Sequence, residues 1–246
     1  MKIVDKNLNE LCYYQLERYN EVCYNFCVLS PPEESNLRTT NSILFALGTA
    51  ILDDSFKEPE KGNLTVLELT EKLKFIKICE NETRGGVYKV ASVNNILYAS
   101  IASCFYAYKL ISIFDDRNYD NKMLIDSSSD KMKIDTNLVD LNAGKKNKKE
   151  NLSLELIKKM NDFFFIYDFI CFENLILISD MYKSVSLWKY DNNREIIYEI
   201  TRDFNPITCN SLVKSDDNIF SVSDLNNNLY NLSFEKNPLS DEDRFM

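Results

Sequence analysis

Histidine is absent from all 246 residues. That removes Ser-His-Asp and Cys-His nucleophile arrangements, and every metal site built on imidazole ligands. Glycine and proline are scarce, five of each, which excludes a collagen-like or Pro/Gly-rich low-complexity chain. No apolar run approaches the roughly 20 residues that a membrane-spanning helix needs. The first dozen residues carry Lys2, Asp5, Lys6 and Glu10 with no apolar stretch, so no secretory leader is expected. An excess of basic charge is also missing. The formal net charge of −9 argues against a broad phosphate-binding face and fits a protein that meets other proteins.

Seven cysteines are present, an odd number, without a CxxC pair; Cys23 and Cys27 stand four apart. Neither a zinc site nor a disulfide framework is indicated. Thiols set within apolar runs read as small hydrophobes, which suits a reducing compartment. Without histidine, acid-base work would fall to carboxylates, lysine or tyrosine. The adjacent acids Asp53-Asp54, Asp115-Asp116 and Asp216-Asp217 lie in polar, turn-like stretches. Carboxylates there ordinarily bind backbone N–H groups or water. The expectation is a protein that is not an enzyme and carries no cofactor or metal.

What the chain does have is a series of short apolar or alternating runs. They cover 22–29, 42–51, 63–69, 73–79, 87–93, 96–102 and 105–113, with a turn expected at 81–84. The rhythm resumes at 163–172, 175–179, 184–190, 195–201, 211–214, 218–223 and 229–234. Short strands joined by hairpin turns at this spacing describe a sandwich, barrel or propeller. Only 152–160 suggests a short helix, from Leu152, Leu156 and Lys159 at helical spacing. The fold class is therefore all-β. Asparagine runs such as Asn226-Asn227-Asn228 suit the turns, because Asn tolerates the left-handed region.

A different composition fills 115–151, with Ser127-Ser128-Ser129, several aspartates and the run Lys145-Lys146-Asn147-Lys148-Lys149. Such a stretch buries too little apolar surface to offset its ordering entropy, and it reads as a largely disordered insertion. Its basic run is a solvated linker first and a nuclear-import or nucleic-acid patch second. Gly144-Lys145 is no phosphate loop, since Val139 stands where the first glycine is required. The expected organisation is propeller-type strands in 1–114, the insertion at 115–151, and the same domain continued in 152–246.

Four strings, read in order, carry a resemblance. They are Gly48-Thr49-Ala50 with Lys61-Gly62-Asn63-Leu64-Thr65-Val66-Leu67; Arg84-Gly85-Gly86-Val87-Tyr88 with Asn95-Ile96-Leu97-Tyr98-Ala99-Ser100-Ile101; Leu175-Ile176-Leu177-Ile178-Ser179-Asp180-Met181-Tyr182-Lys183-Ser184-Val185; and Thr201-Arg202-Asp203-Phe204-Asn205-Pro206. Together they resemble the carboxy-terminal region shared by the damaged-DNA-binding adaptors of cullin-4 ubiquitin ligases, the large subunit of the cleavage and polyadenylation specificity factor, and a propeller subunit of splicing factor 3b. The last string, with Leu239-Ser240-Asp241-Glu242-Asp243-Arg244, is nearest to the ligase adaptors.

The resemblance implies a WD40-like β-propeller, here about four blades of a seven-bladed one. It also implies a non-catalytic scaffold of nucleus and cytoplasm. The partners implied are WD40-type substrate receptors and, through a longer parent protein, the cullin-4 ligase complex, with possible DNA or RNA contact and no membrane. The runner-up is an RNA-processing scaffold. Gly86, Tyr88 and Lys89 match positions on the receptor-pocket wall, Lys183 matches a position that is arginine in the familiar adaptors, and the stretch Phe165 to Asp168, with Tyr167, falls where that pocket has exposed apolar and aromatic residues. Thr208 falls where the family has tryptophan, an aromatic anchor of the kind that dominates interfaces. Tyr88→Ala and Lys183→Glu are expected to weaken receptor capture. A structural reading stands beside each assignment, with Tyr88 in a blade core, Asp180 capping the next turn, and Arg202-Asp203 pairing or binding backbone at a blade junction. With about four blades, sheet edges and apolar faces stay open, and low solubility of the isolated chain is expected.

Overall fold

A computed structural model describes residues 1–31, 42–114, 150–205, 207–216 and 219–233. Asp115, Asp116, the lysines of 145–149, Pro206, Asp217 and 239–244 lie outside the described residues, as does all of the expected insertion except Glu150 and Asn151. Within the described residues every regular element is a strand.

Among the described residues a two-stranded sheet precedes four antiparallel sheets that follow one another along the chain. The first pairs β3 (Glu21–Leu29), β4 (Ile43–Ile51), β5 (Lys61–Leu69) and β6 (Phe75–Arg84) in sequence order, after a short hairpin of β1 (Lys2–Val4) and β2 (Glu10–Tyr13). The second repeats the meander with β7 (Val87–Val93), β8 (Ile96–Ile101), β9 (Cys104–Phe114) and β10 (Glu150–Met160). The third holds β11 (Ile166–Phe172), β12 (Leu175–Asp180), β13 (Ser184–Asp191) and β14 (Ile196–Arg202). The fourth shows β15 (Cys209–Asp216), β16 (Ile219–Asp224) and β17 (Leu229–Ser233). The first strands β3, β7, β11 and β15 lie beside one another in that order. Successive four-stranded meanders with their first strands innermost are the blades of a β-propeller, here four in sequence.

The core lies between the blades. Leu44, Ala46, Leu64 and Val66 of blade 1 pack on Leu97, Ala99, Leu110 and Leu154 of blade 2. Phe105 and Tyr98 of blade 2 pack on Phe169, Ile178 and Trp188 of blade 3, and Leu177 and Leu187 of blade 3 on Leu212, Phe220 and Val222 of blade 4. The other face of blade 1 carries Phe45, Leu47, Leu67 and Leu69, which meet Ile3, Cys12 and Tyr14 from the β1–β2 hairpin and its exit. Middle strands are covered on both faces, so β4 and β5 read as nearly continuous apolar runs and are buried almost throughout. Each such Val, Leu or Ile contributes about 1.5–3 kcal/mol by leaving water.

Gly48 and Gly62 flank a hairpin, as their spacing suggests. A Cβ on Gly62 would sit 2.3 Å from the Thr49 carbonyl oxygen and 2.9 Å from that of Gly85, so only hydrogen fits. Gly85 has φ of 114°, the left-handed region that glycine adopts without strain.

Several expectations are corrected. The stretch 152–160 is strand, not helix: β10 pairs with β9 from Glu150↔Phe114 to Met160↔Phe105. Leu152 and Leu154 face the core two residues apart while Leu156 is exposed, so the period is 2 and pairing overrides the helical spacing. The turn expected at 81–84 is the end of β6, laddered onto Lys61 to Leu64. Residues 163–165 precede β11 because the Asp180 carboxylate, not a strand, accepts the Phe164 and Phe165 N–H groups at 2.6 and 3.2 Å. Both strands of the N-terminal hairpin escaped the sequence reading, being only 3 and 4 residues long.

Candidate functional site

The innermost strands share one local device. In each, one residue is skipped by the partner's register: between Cys23 and Asn25, Val87 and Lys89, Ile166 and Asp168, and Cys209 and Ser211. These β-bulges place Tyr24, Tyr88, Tyr167 and Asn210 at equivalent points of blades 1 to 4. A bulge re-aims its extra side chain and raises local twist. Here it turns three tyrosines toward the end of the propeller where each innermost strand begins.

The rings meet there. Tyr24 lies 5.4 Å from Tyr88, Tyr88 5.0 Å from Phe165, and Phe165 5.1 Å from Tyr167, centroid to centroid. The arc crosses three blades and stops at blade 4, where Asn210 takes the tyrosine's place. Tyr88 is half-buried and part of this arc, not of a blade core. Burial pushes its hydroxyl pKa up, and the charge of Glu58 adds to the shift. Gly86 is buried beneath it. A Cβ there would stand 3.0 Å from that of Ala50 and 3.5 Å from both Pro59 and the Tyr88 ring, so glycine lets loop and ring close together.

In blades 1 to 3 the residue after the bulge points the other way and staples its blade to the next. The Val90 N–H donates to Asn25 Oδ1 at 3.2 Å, and the Leu212 N–H donates to Asp168 Oδ2 at 2.8 Å. Lys89 cannot accept a hydrogen bond. Its ammonium instead pairs with Asp168 Oδ1, which itself accepts the Phe169 N–H at 2.9 Å. The bulges of blades 2 and 3 are pinned by hydroxyls, with Lys89 N–H donating to Ser100 Oγ at 3.0 Å and Asp168 N–H to Ser179 Oγ at 3.1 Å.

Of the residues singled out in the sequence, Gly86, Tyr88, Phe165 and Tyr167 are brought together. Lys89 is directed between blades. Lys183 is exposed in the turn after β12 and donates to the Asp162 carbonyl. Thr208 is half-buried beside blade 4, its carbonyl accepting the Leu225 N–H at 3.1 Å. Asp180 caps its turn as expected, accepting the Tyr182 and Lys183 N–H groups at 2.9 Å each. Arg202 forms a fork with Glu199, at 2.9 and 2.7 Å, within its own blade. Asp203 accepts the Asn205 N–H at 3.0 Å and the Ser184 hydroxyl at 2.9 Å.

Sequence reasoning missed Tyr24, Asn25 and three exposed aromatics at the same end, and gave Asp168 no role between blades. Phe164 and Tyr182 form an edge-to-face pair at 4.5 Å, and Phe204 is 90% exposed. The missed signal was a repeated apolar-Tyr-polar-apolar string, Cys23-Tyr24-Asn25-Phe26, Val87-Tyr88-Lys89-Val90 and Ile166-Tyr167-Asp168-Phe169. The two ends of the propeller differ. Turns at the tyrosine end expose Leu52, Phe56, Tyr182 and Leu225, whereas described turns at the opposite end, 70–74, 94–95, 173–174 and 192–195, expose only Leu73 among large apolar residues. A concentration of exposed apolar side chains on one face marks an interaction site.

Burial raises the thiol pKa of Cys27 to about 12 and those of Cys79 and Cys209 to about 11, so these groups are not nucleophiles at neutral pH. Among the described residues no three acidic or cysteine side chains are grouped to hold a metal ion. A cavity of about 150 Å³ between blades 3 and 4 is walled largely by Leu177, Val185, Leu187, Phe220 and Leu232.

Fold and site together define a β-propeller scaffold with an aromatic arc at one end. The sequence model of the family described as CPSF A subunit region matches residues 145–245. The chain is 24% identical to DNA damage-binding protein 1 of Oryza sativa subsp. japonica over 95% of its own length and 18% of that protein's. It is likewise 24% identical to DNA damage-binding protein 1 of Solanum lycopersicum and 1a of Arabidopsis thaliana, over 98% of this chain and 18% of each relative. The chain is thus a distant relative of the DNA damage-binding protein 1 family, and spans less than a fifth of the curated relatives it matches.

Proposed function

We propose that the chain is a non-catalytic propeller scaffold that docks protein partners on its aromatic end, as part of a cullin-4 ligase adaptor of nucleus and cytoplasm. WD40-type substrate receptors are the partners that the family resemblance suggests, in ubiquitination and DNA repair. The observation that carries the reading is the arc of Tyr24, Tyr88, Phe165 and Tyr167 across three blades, at the end where exposed apolar residues gather. Large aromatic side chains held by neighbours supply contact area at low entropic cost, which is why they dominate interface energetics. The lysine at position 183 extends the face toward blade 3.

The test is capture of partners from native extract by the tagged chain and its Tyr88→Ala and Lys183→Glu variants. WD40 receptors are expected with the wild type. Loss of a central aromatic anchor costs about 2 kcal/mol, close to thirtyfold in Kd, so Tyr88→Ala is expected to lose them while the protein stays folded. Undiminished capture by both variants refutes the docking face. The match to the CPSF A subunit region supports a second reading, an RNA-processing scaffold. Polyadenylation or splicing-factor subunits in the eluate would move the function there.

A further inference from the structure

Beside the aromatic arc runs the loop that joins β4 to β5. It is tied to the start of blade 1 by the Leu52 N–H donating to the Asn20 carbonyl at 2.8 Å. Its Pro59 abuts Gly86 beneath Tyr88. The loop exposes Asp53, Asp54, Glu58 and Glu60, with Lys57 its one cation before Lys61. None of the four carboxylates forms a salt bridge among the described residues, and Asp53 is held below the usual carboxylate range by the Ser55 N–H and hydroxyl. Lys61 is engaged by Glu82 at 3.3 Å. Counting the neighbouring stretches 17–21 and 82–84 as well, seven carboxylates stand against four cations, Arg18, Lys57, Lys61 and Arg84. Phe56 and Leu52 are 48% and 42% exposed within this acidic rim.

Tyrosine faces next to unpaired carboxylates attract a cation carried on an apolar stem, through ring quadrupole and charge together. They repel a phosphate backbone. The four loop carboxylates lie at the blade 1 and 2 end of the face, whereas at the blade 3 end the exposed cation Lys183 stands beside the exposed Asp162. We infer that the occupant of the aromatic arc is a basic peptide segment, with Arg or Lys side chains set among apolar residues, and that the acidic β4–β5 loop selects it by charge. This rests on the docking reading above and adds to it the chemistry and orientation of the partner, its basic part over blades 1 and 2.

Selection of a displayed random dodecapeptide library on the full-length chain tests it. The recovered peptides are expected to be net positive, to bind more weakly as salt rises, and to lose at least tenfold in affinity with Tyr88→Ala. Reversing the loop with Asp54→Lys, Glu58→Lys and Glu60→Lys exchanges exposed charges only and leaves the Asp53 turn contact intact, so the fold is kept. It is expected to cost about tenfold at low salt and to shift a fresh selection toward acidic peptides. A pool without cationic bias, or the same pool on the reversed loop, overturns the inference while Tyr88-dependent binding leaves the docking face standing. Peptides indifferent to Tyr88→Ala overturn both. Tyr88-dependent binding of a uridine dodecamer tighter than any recovered peptide overturns the basic-peptide assignment in favour of nucleic acid.

Discussion

Asp168 is the residue on which the junction of blades 2, 3 and 4 turns, and replacing it by alanine is the sharpest test of how the blades are held. Its carboxylate is reached by the Lys89 ammonium from blade 2, by its neighbour's Phe169 N–H, and by the Leu212 N–H from blade 4. Phe169 and Leu212 are 0% and 4% exposed, so water does not replace the lost acceptor. A stranded buried N–H costs about 1–3 kcal/mol, and removing one partner of a buried ion pair about 3–5 kcal/mol. These terms overlap, so Asp168→Ala is expected to cost about 4 kcal/mol, a large part of the ~5–15 kcal/mol that holds a typical domain. Lys89→Met keeps the apolar stem and leaves the carboxylate with its two N–H donors, and is expected to cost about 1–2 kcal/mol. The Lys89 substitution should then matter little when Asp168 is already alanine, giving a coupling of at least about 1 kcal/mol in the double-mutant cycle. Urea unfolding supplies the free energies, and faster amide exchange at Leu212 in Asp168→Ala supplies a local readout. A cost below about 1 kcal/mol for Asp168→Ala, or strict additivity of the two changes, refutes the staple.

Gly62→Ala drives a methyl group into two backbone carbonyl oxygens that cannot swing aside, and should cost at least about 3 kcal/mol or abolish soluble protein, measured by urea midpoint. Hydrogen bonds from the Asn228 side chain and from the Asn228 and Asn226 N–H groups hold the Asp224 carboxyl below its ordinary range. Its stabilising contribution is complete above the unfolded carboxyl pKa near 4 and is lost as pH falls through the lower folded value. Melting temperature measured against pH should therefore drop below about pH 4, with a shallower acid limb in Asp224→Asn; identical limbs would remove Asp224 from the account.

The meander of short strands was legible because period-2 alternation and turn residues are local properties. The same locality explains the failures. The stretch 152–160 satisfies a helical spacing and a strand spacing at once, and only pairing with β9 chooses between them. The end of β6 is polar enough to read as a turn, yet its backbone is claimed by the ladder with β5. For the site, Tyr88, Phe165 and Tyr167 were singled out by family resemblance, whereas Tyr24 carried the same string and went unremarked. Lys89, matched to a pocket wall by that resemblance, finds its partner 79 residues away across a blade junction.

The sequence by itself determined that this is an all-β chain of repeated hairpins, without the histidines or apolar span that other classes need. Composition, alternation and turn chemistry act over a few residues and are written in order along the chain. Only the tertiary structure decided where each register slips by one residue, because a bulge exists only relative to the strand beside it. That slip sends Tyr24, Tyr88 and Tyr167 to one end of the propeller and Asn25, Lys89 and Asp168 into the seams between blades. Aromatic arc and inter-blade staple are thus the two sides of one backbone irregularity, repeated from blade to blade.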